Sequence, residues 1–386
     1  MMGSRSSIKH IGGLDGLRGL AALAVFGVHL NQNVQFDMLI GPVDVATLLA
    51  NGERGVSVFF TLSGLLLSVL FWQAKATDGQ LPDLKKYTIR RLARILPAYY
   101  VALTLLLYMD GLWRVPGAGA DIALHYTFLF NFAEFSIFSI NPVFWTIAVE
   151  MQFYLLLPLI FLLIRKMSVR NGLALIMALA MSGYLLHFWL MRTVEAMVFW
   201  PSNPWLIWLR PNGAVLHHSL AGQLPLFLLG LLAGYLYLRV REKGIDEQGK
   251  FQWLCEFGVW GLFGGALVLI LTGWEEFLQL PSGPYGFPGV PLLLALMILC
   301  IPFSRHAKRL LDSTPLRWLG MISYSLYLFH VPCLNLVYRY MSGQGIDISE
   351  RWGVFGAVSL GLSLLVATVS YLVIEKPFMR LARKWA

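Results

Sequence analysis

Apolar runs of membrane-spanning length, separated by short polar connections, follow one another from residue 14 almost to the end of the chain. A helix needs about 20 mostly apolar residues to cross the hydrocarbon of a bilayer. Eleven segments come close, at roughly 14–34, 55–74, 91–109, 121–138, 143–164, 171–191, 219–238, 254–272, 288–303, 318–340 and 352–374. Loop charge decides how many of them cross, because short loops rich in Lys and Arg stay in the cytoplasm. The basic clusters are Arg5/Lys9, Lys75/Lys85/Lys86/Arg90/Arg91/Arg94, Arg165/Lys166/Arg170, Arg239/Arg241/Lys243, Arg305/Lys308/Arg309 and Lys376/Arg380/Arg383/Lys384. Eleven crossings would put the clusters beyond residue 164 on the wrong side. The 121–138 segment is the one to withdraw, since His125, Asn131 and Glu134 interrupt it and Asn141-Pro142 follows at once. Such a piece is tolerated where protein or a wet cavity covers its backbone. The pattern therefore predicts an all-α polytopic membrane protein with about ten transmembrane helices plus one re-entrant or interfacial helix. Both termini, and every basic cluster, then lie in the cytoplasm.

Composition points the same way. Of 386 residues 57% are hydrophobic and 13% charged, against roughly 25% charged in a soluble globular chain, and the mean hydropathy is +0.65. These values exclude a water-soluble domain of this size, a disordered chain, a collagen-like chain and a nucleic-acid module. The net charge of +9 belongs to the cytoplasmic rim rather than to a nucleic-acid partner. Cys255, Cys300 and Cys333 are scattered without metal spacing, so neither a disulfide framework nor a metal site is expected. The first apolar run, from Leu17 to Leu30, carries Arg18 and no A-x-A site follows it, so no cleavable signal is expected. One membrane domain, 1–386, with no soluble appendage is the expected organisation. The longest outward loop, about 192–218, holds Phe199, Trp200, Pro201, Pro204, Trp205, Trp208 and Pro211. Those aromatics suit an interfacial belt, or a lid over an acceptor site, since Trp faces stack on sugar rings.

Ionisable side chains inside a span mark function by default. Arg18 and His29 lie eleven residues apart on the first predicted helix, roughly 16 Å along its axis and close to three whole turns, hence on one face. A fixed cation below a titratable base suits an extended anionic ligand with a reactive tip; a snorkelling Arg and a His held by a neighbouring helix are the structural alternative. Counted from the outer ends of their helices, His29, Glu150 and His330 fall at one depth. A carboxylate beside an imidazole can stabilise the imidazolium and make the His a general base, whereas a Glu–His pair can equally tie helices together. Arg91 and Arg94 share a helix face and can hold phosphate bidentately, or serve simply as positive-inside charge. Ser63-Gly64 reads most simply as small residues that let helices approach.

Taken together these stretches resemble the membrane acyltransferase-3 family. Leu14-Asp15-Gly16-Leu17-Arg18 with His29 is similar to its R-x10-H signature, and Phe59-Phe60-Thr61-Leu62-Ser63-Gly64 to its FFxxSGF stretch, with Leu65 where Phe is usual. Arg91-x-x-Arg94 resembles its RxxR element, and Phe144 to Tyr154 its FWSLxVEEQFY block, with Met151 in place of the second acid. Ser323 to His330 and Glu375-Lys376-Pro377 also fit. The resemblance implies transfer of an acyl group from acyl-CoA, as co-substrate rather than resident cofactor, to a hydroxyl of a sugar, glycan or macrolide-like metabolite. It implies His29 as catalytic base with Glu150 as its partner, and Arg18, Arg91 and Arg94, with neighbouring Arg90, at the donor. Trp145, Tyr324, His330 and Ser63 are candidates for acceptor or oxyanion contacts. Some members carry a fused SGNH esterase-like domain, and none is expected here. The competing class is a transporter or flippase with Arg18, His29 and Glu150 as a relay, which predicts inverted repeats that the chain does not display. A cell-membrane location, inner or plasma, follows for either class.

Overall fold

The structure, a computed structural model, describes residues 10–34, 39–40, 43–199, 213–272 and 288–385. The described residues form helices α1 (Leu14–Val34), α2 (Val45–Ala50), α3 (Gly55–Asp78), α4 (Leu84–Met109), α5 (Gly119–Tyr126), α6 (Trp145–Ile164) and α7 (Val169–Phe199). Then come α8 (Gly213–His217), α9 (Leu220–Glu242), α10 (Gly249–Thr272), α11 (Gly289–Cys300), α12 (His306–Leu311), α13 (Thr314–Gly343), α14 (Trp352–Ser370) and α15 (Lys376–Trp385). A two-residue antiparallel pairing, Leu39–Ile40 with Val43–Asp44, precedes α2.

Among the described residues eight helical segments are long and apolar enough to cross a membrane: Val45–Thr77, Leu84–Met109, Trp145–Ile164, Val169–Arg192, Gly213–Glu242, Gly249–Thr272, Thr314–Gly343 and Trp352–Trp385. Two of the ten expected spans differ from these. The 21-residue α1 carries Asp15, Arg18, His29, Asn31 and Asn33 and is too polar to stand in lipid alone; its long buried face packs inside the bundle instead. The 288–303 segment forms the 12-residue α11 and a three-residue 3-10 turn, which falls short of the roughly 30 Å of hydrocarbon. The 121–138 stretch forms no long helix. After the eight-residue α5 it passes through Phe128, a non-glycine residue at φ 58°, into a short 3-10 turn at Phe130–Phe132. Protein covers its polar residues: Asn131 receives the Gln152 amide at 2.9 Å, and His125 Nδ1 lies 3.0 Å from the Asp121 carbonyl oxygen with its ring stacked on Phe130, although the buried His125 Nε2 has no hydrogen-bond partner among the described residues. Of the aromatic loop, α7 takes residues 192–199 and α8 residues 213–217, while residues 200–212, with Trp200, Trp205 and Trp208, lie outside the described residues.

Helix α6 shows how sequence spacing separates lipid from core. Leu155, Leu159 and Leu163, four apart, are 69%, 55% and 67% exposed, whereas Phe153, Leu157, Phe161 and Ile164 on the other faces are buried. Phe227 of α9 stacks on Phe60 at 4.5 Å and on Phe153 at 4.0 Å, which ties α3, α6 and α9 into one core. Helices α3 and α9 cross where Gly64 meets Gly230. A Cβ on Gly64 would lie 2.2 Å from the Phe227 carbonyl oxygen, so only glycine permits this approach. A π-helical turn at Tyr371–Glu375 ends α14; Pro377 lacks the N–H that a continuing α-helix requires two residues further on.

Candidate active site

Helices α1 and α13 run side by side in the same direction, and their contact sets the register of the site. A Cβ on Gly320 would meet the Asp15 carbonyl oxygen at 2.0 Å, and one on Gly19 would meet the Gly320 nitrogen at 2.9 Å. Ten residues further along each helix stand His29 and His330. Equal rise on two parallel helices carries one close pair into the next. His330 Nε2 lies 3.1 Å from His29 Nδ1, with ring centroids 4.9 Å apart and planes inclined by 67°. His29 Nδ1 also lies 3.0 Å from the Val25 carbonyl oxygen, and His330 Nδ1 lies 3.2 Å from the Leu326 and 2.9 Å from the Tyr327 carbonyl oxygens. His330 is buried and His29 half-buried.

Towards the start of α1, Arg18 opens into a narrow cleft of about 40 Å³, whose polar lining is completed by Ser63, Thr146, Glu150, Ser323, Tyr324 and Tyr327. Two hydroxyls converge on one oxygen of Glu150: Ser63 donates at 2.8 Å and Tyr154 at 2.6 Å. Arg18 lies in the fields of Arg94 and Glu150 but forms no direct ion pair with a carboxylate among the described residues. Arg94 also acts on Tyr154 and Glu375. The Nε–H of Arg91 is buried with no hydrogen-bond partner, and Arg91 too lies in range of Tyr154. Half-buried guanidinium groups, one with an orphaned donor, have the chemistry to hold an anion.

Glu150 is not brought to His29. Its carboxylate is held by Ser63 and Tyr154 in the layer of Arg18, whereas His29 finds His330. Counting depth from helix ends failed because α6 begins deep in the protein. The Thr146 hydroxyl is 3.0 Å from that of Tyr327, and the Asn141 amide donates to the Leu328 carbonyl at 3.1 Å, while α13 continues outward to Gly343. Tyr324 donates its hydroxyl proton to the Ile95 carbonyl at 2.9 Å, which leaves none for an oxyanion. Trp145 packs edge-on against Phe60 and His218 and does not line the cleft. Arg90 is exposed, unlike Arg91 and Arg94. Sequence reasoning assigned no role to Tyr154, Tyr327 or Glu375. Glu375 is buried and accepts from Ser325, whose hydroxyl also meets that of Ser370 at 2.7 Å; an acid just before Lys376-Pro377 was the available signal. Among the described residues no group of three or more His, Cys, Asp or Glu side chains is placed to hold a metal ion.

The acyltransferase-3 family model, described as an acyltransferase domain, matches residues 11–372. The chain belongs to the acyltransferase-3 family. With its apolar helices, family membership makes it a multi-pass membrane protein. Relatives of this acyltransferase-3 chain include O-acetyltransferase OatA of Staphylococcus aureus (strain NCTC 8325 / PS 47), 26% identical over 387 residues. A second Staphylococcus aureus (strain COL) protein, provisionally named an O-acetyltransferase, is 25% identical over 403 residues. Both alignments cover 97% of this chain and 58% of the relative, so the chain spans little more than half the length of these relatives. No solved structure matches.

Proposed function

We propose that this chain transfers an acetyl or other short acyl group from acyl-CoA to a hydroxyl of a sugar, glycan or macrolide-like metabolite at the cell membrane. The observation that carries the reading is the orphaned Nε–H of Arg91, which acts on Tyr154 together with Arg94, the guanidinium that in turn acts on Arg18: the phosphates of CoA supply the missing acceptors. Glu150 moderates the charge of Arg18 and keeps the empty cluster from being all cationic. Along α1 from Arg18 to His29 is roughly 16 Å, a span that the pantetheine arm of a CoA thioester can bridge. His29 takes the proton of the acceptor hydroxyl as its oxygen bonds to the thioester carbonyl carbon. The carbon–sulfur bond then breaks, and the CoA thiolate leaves with that proton as the free thiol. The proposed topology has ten crossings, the eight long apolar segments together with α1 shielded inside the bundle and the shorter α11, with both termini in the cytoplasm, so that the basic clusters face the compartment that supplies the donor.

The test is turnover by the purified chain in lipid nanodiscs, with a panel of acyl-CoAs and hydroxyl acceptors, followed by thiol release and mass spectrometry of the acceptor. Acceptor-dependent thiol release with a mass gain of one acyl group is expected. Failure of acetyl-CoA to bind at all, at low and at high salt, would refute donor recognition by the arginines.

A further inference from the structure

We infer that His330 is a positioning residue that fixes the tautomer of His29, holding its proton on Nδ1 and leaving the lone pair on Nε2. The hydrogen-bond pattern admits one solution for two neutral rings. His330 Nδ1 faces the carbonyl oxygens of Leu326 and Tyr327 at 3.2 and 2.9 Å, so it carries a proton. Its Nε2 is then an acceptor. His29 Nδ1 lies between that acceptor, at 3.1 Å, and the Val25 carbonyl oxygen, at 3.0 Å, so it too carries a proton. The opposite assignment sets lone pairs against three carbonyl oxygens at once. Nε2 is therefore the basic nitrogen of His29, and among the described residues none donates a hydrogen bond to it.

The chemical consequence is specific. When Nε2 receives a proton, no hydrogen bond in the pair has to change direction, and the Nδ1–H bond to His330 becomes charge-assisted. His330 itself has no proton on Nε2, so it cannot donate to an oxyanion. A neutral imidazole thus occupies the position that a carboxylate takes behind the histidine of a Ser-His-Asp triad. The role presupposes acyl transfer with His29 as base, but the tautomer does not.

Two measurements separate those claims. In protein labelled with ¹⁵N-histidine, His29 is expected to show a pyrrole-type Nδ1 and a pyridine-type Nε2; His29→Gln assigns the signals. A pyridine-type Nδ1 on His29 overturns the proposal whether or not the chain is an acyltransferase, and this spectrum needs no His330 variant to fold. In turnover, His330→Leu should lower kcat by about 10- to 100-fold, the usual cost of losing a group that orients a functional histidine, with KM for acyl-CoA unchanged. His330→Gln places an amide oxygen where Nε2 stood and should recover most of that loss. Equal damage from Gln and Leu, or no loss from Leu, overturns the positioning role. A wild-type chain with the expected spectrum and no acyl transfer removes the proposed function and leaves the tautomer assignment standing.

Discussion

Replacing Arg91 with Met separates a binding arginine from a structural one, because the two roles move stability in opposite directions. The substitution keeps a long apolar stem and removes a guanidinium whose buried Nε–H has no partner. A buried donor left unpaired costs about 1–3 kcal/mol, and Arg91 is half-buried, so the lower end applies. Ligand-free Arg91→Met should therefore be more stable than the wild type by about 1 kcal/mol. Loss of a charged hydrogen-bonding partner for a CoA phosphate, worth roughly 1.5–3 kcal/mol, should weaken donor binding by about 10- to 150-fold at 1.4 kcal/mol per decade. Donor at one hundred times the wild-type Kd stabilises the wild type by about 2.7 kcal/mol, but a variant with tenfold weaker binding by only about 1.4 kcal/mol. Unfolding in mild detergent, with and without acetyl-CoA and at fixed salt, reads both effects. A variant that is less stable without donor, yet gains as much from it as the wild type, would show that Arg91 serves the fold and refute the anion-site argument.

His29→Ala should insert and bind acyl-CoA normally yet lose about 10²–10⁴-fold in kcat; substantial turnover by this variant would remove His29 as base. Glu150→Gln should raise KM for acyl-CoA, and its effect should add to that of His330→Leu within about 0.5 kcal/mol because the two side chains sit in separate layers. Coupling well above that value would restore a direct link between Glu150 and the histidine pair. Gly320→Ala forces a Cβ against the Asp15 carbonyl oxygen and should cost about 1–3 kcal/mol of stability together with turnover, since the His29–His330 pair depends on the same contact. Gly343→Ala, which meets nothing within 4 Å, should be harmless in the same unfolding and turnover assays.

Hydropathy made eight of the ten expected spans legible, and the polar interruptions of the 121–138 stretch marked it as no long helix, because each signal is local to its own segment. The pairing of Arg18 with His29 on one helix was legible for the same reason. Partners across the bundle were not. His29 and His330 are 301 residues apart, and they meet because Gly19 and Gly320 let two helices touch in one register, a steric fact that hydropathy does not encode. Glu150 was misplaced in depth because the chain before α6 is itself embedded, so the first helical residue does not mark the membrane surface. Burial of Glu375 depends on the turn ahead of Pro377 and on Ser325 from another helix, neither of which a single segment reveals.

The imidazole–imidazole arrangement also bears on when the site is charged. A histidine backed by a carboxylate carries a permanent anion, which is costly to keep where water is scarce. Two neutral rings are electrically silent at rest, and they fit among apolar neighbours such as Phe26, whose ring centroid is 6.3 Å from that of His330. Under the proposed chemistry a full charge exists there only while the abstracted proton resides on His29. An ion without a fixed counter-ion is poorly tolerated in such surroundings, so the site favours prompt release of the proton to the departing thiolate. The catalytic charge is then on loan from the substrates, and the empty enzyme has none to shield.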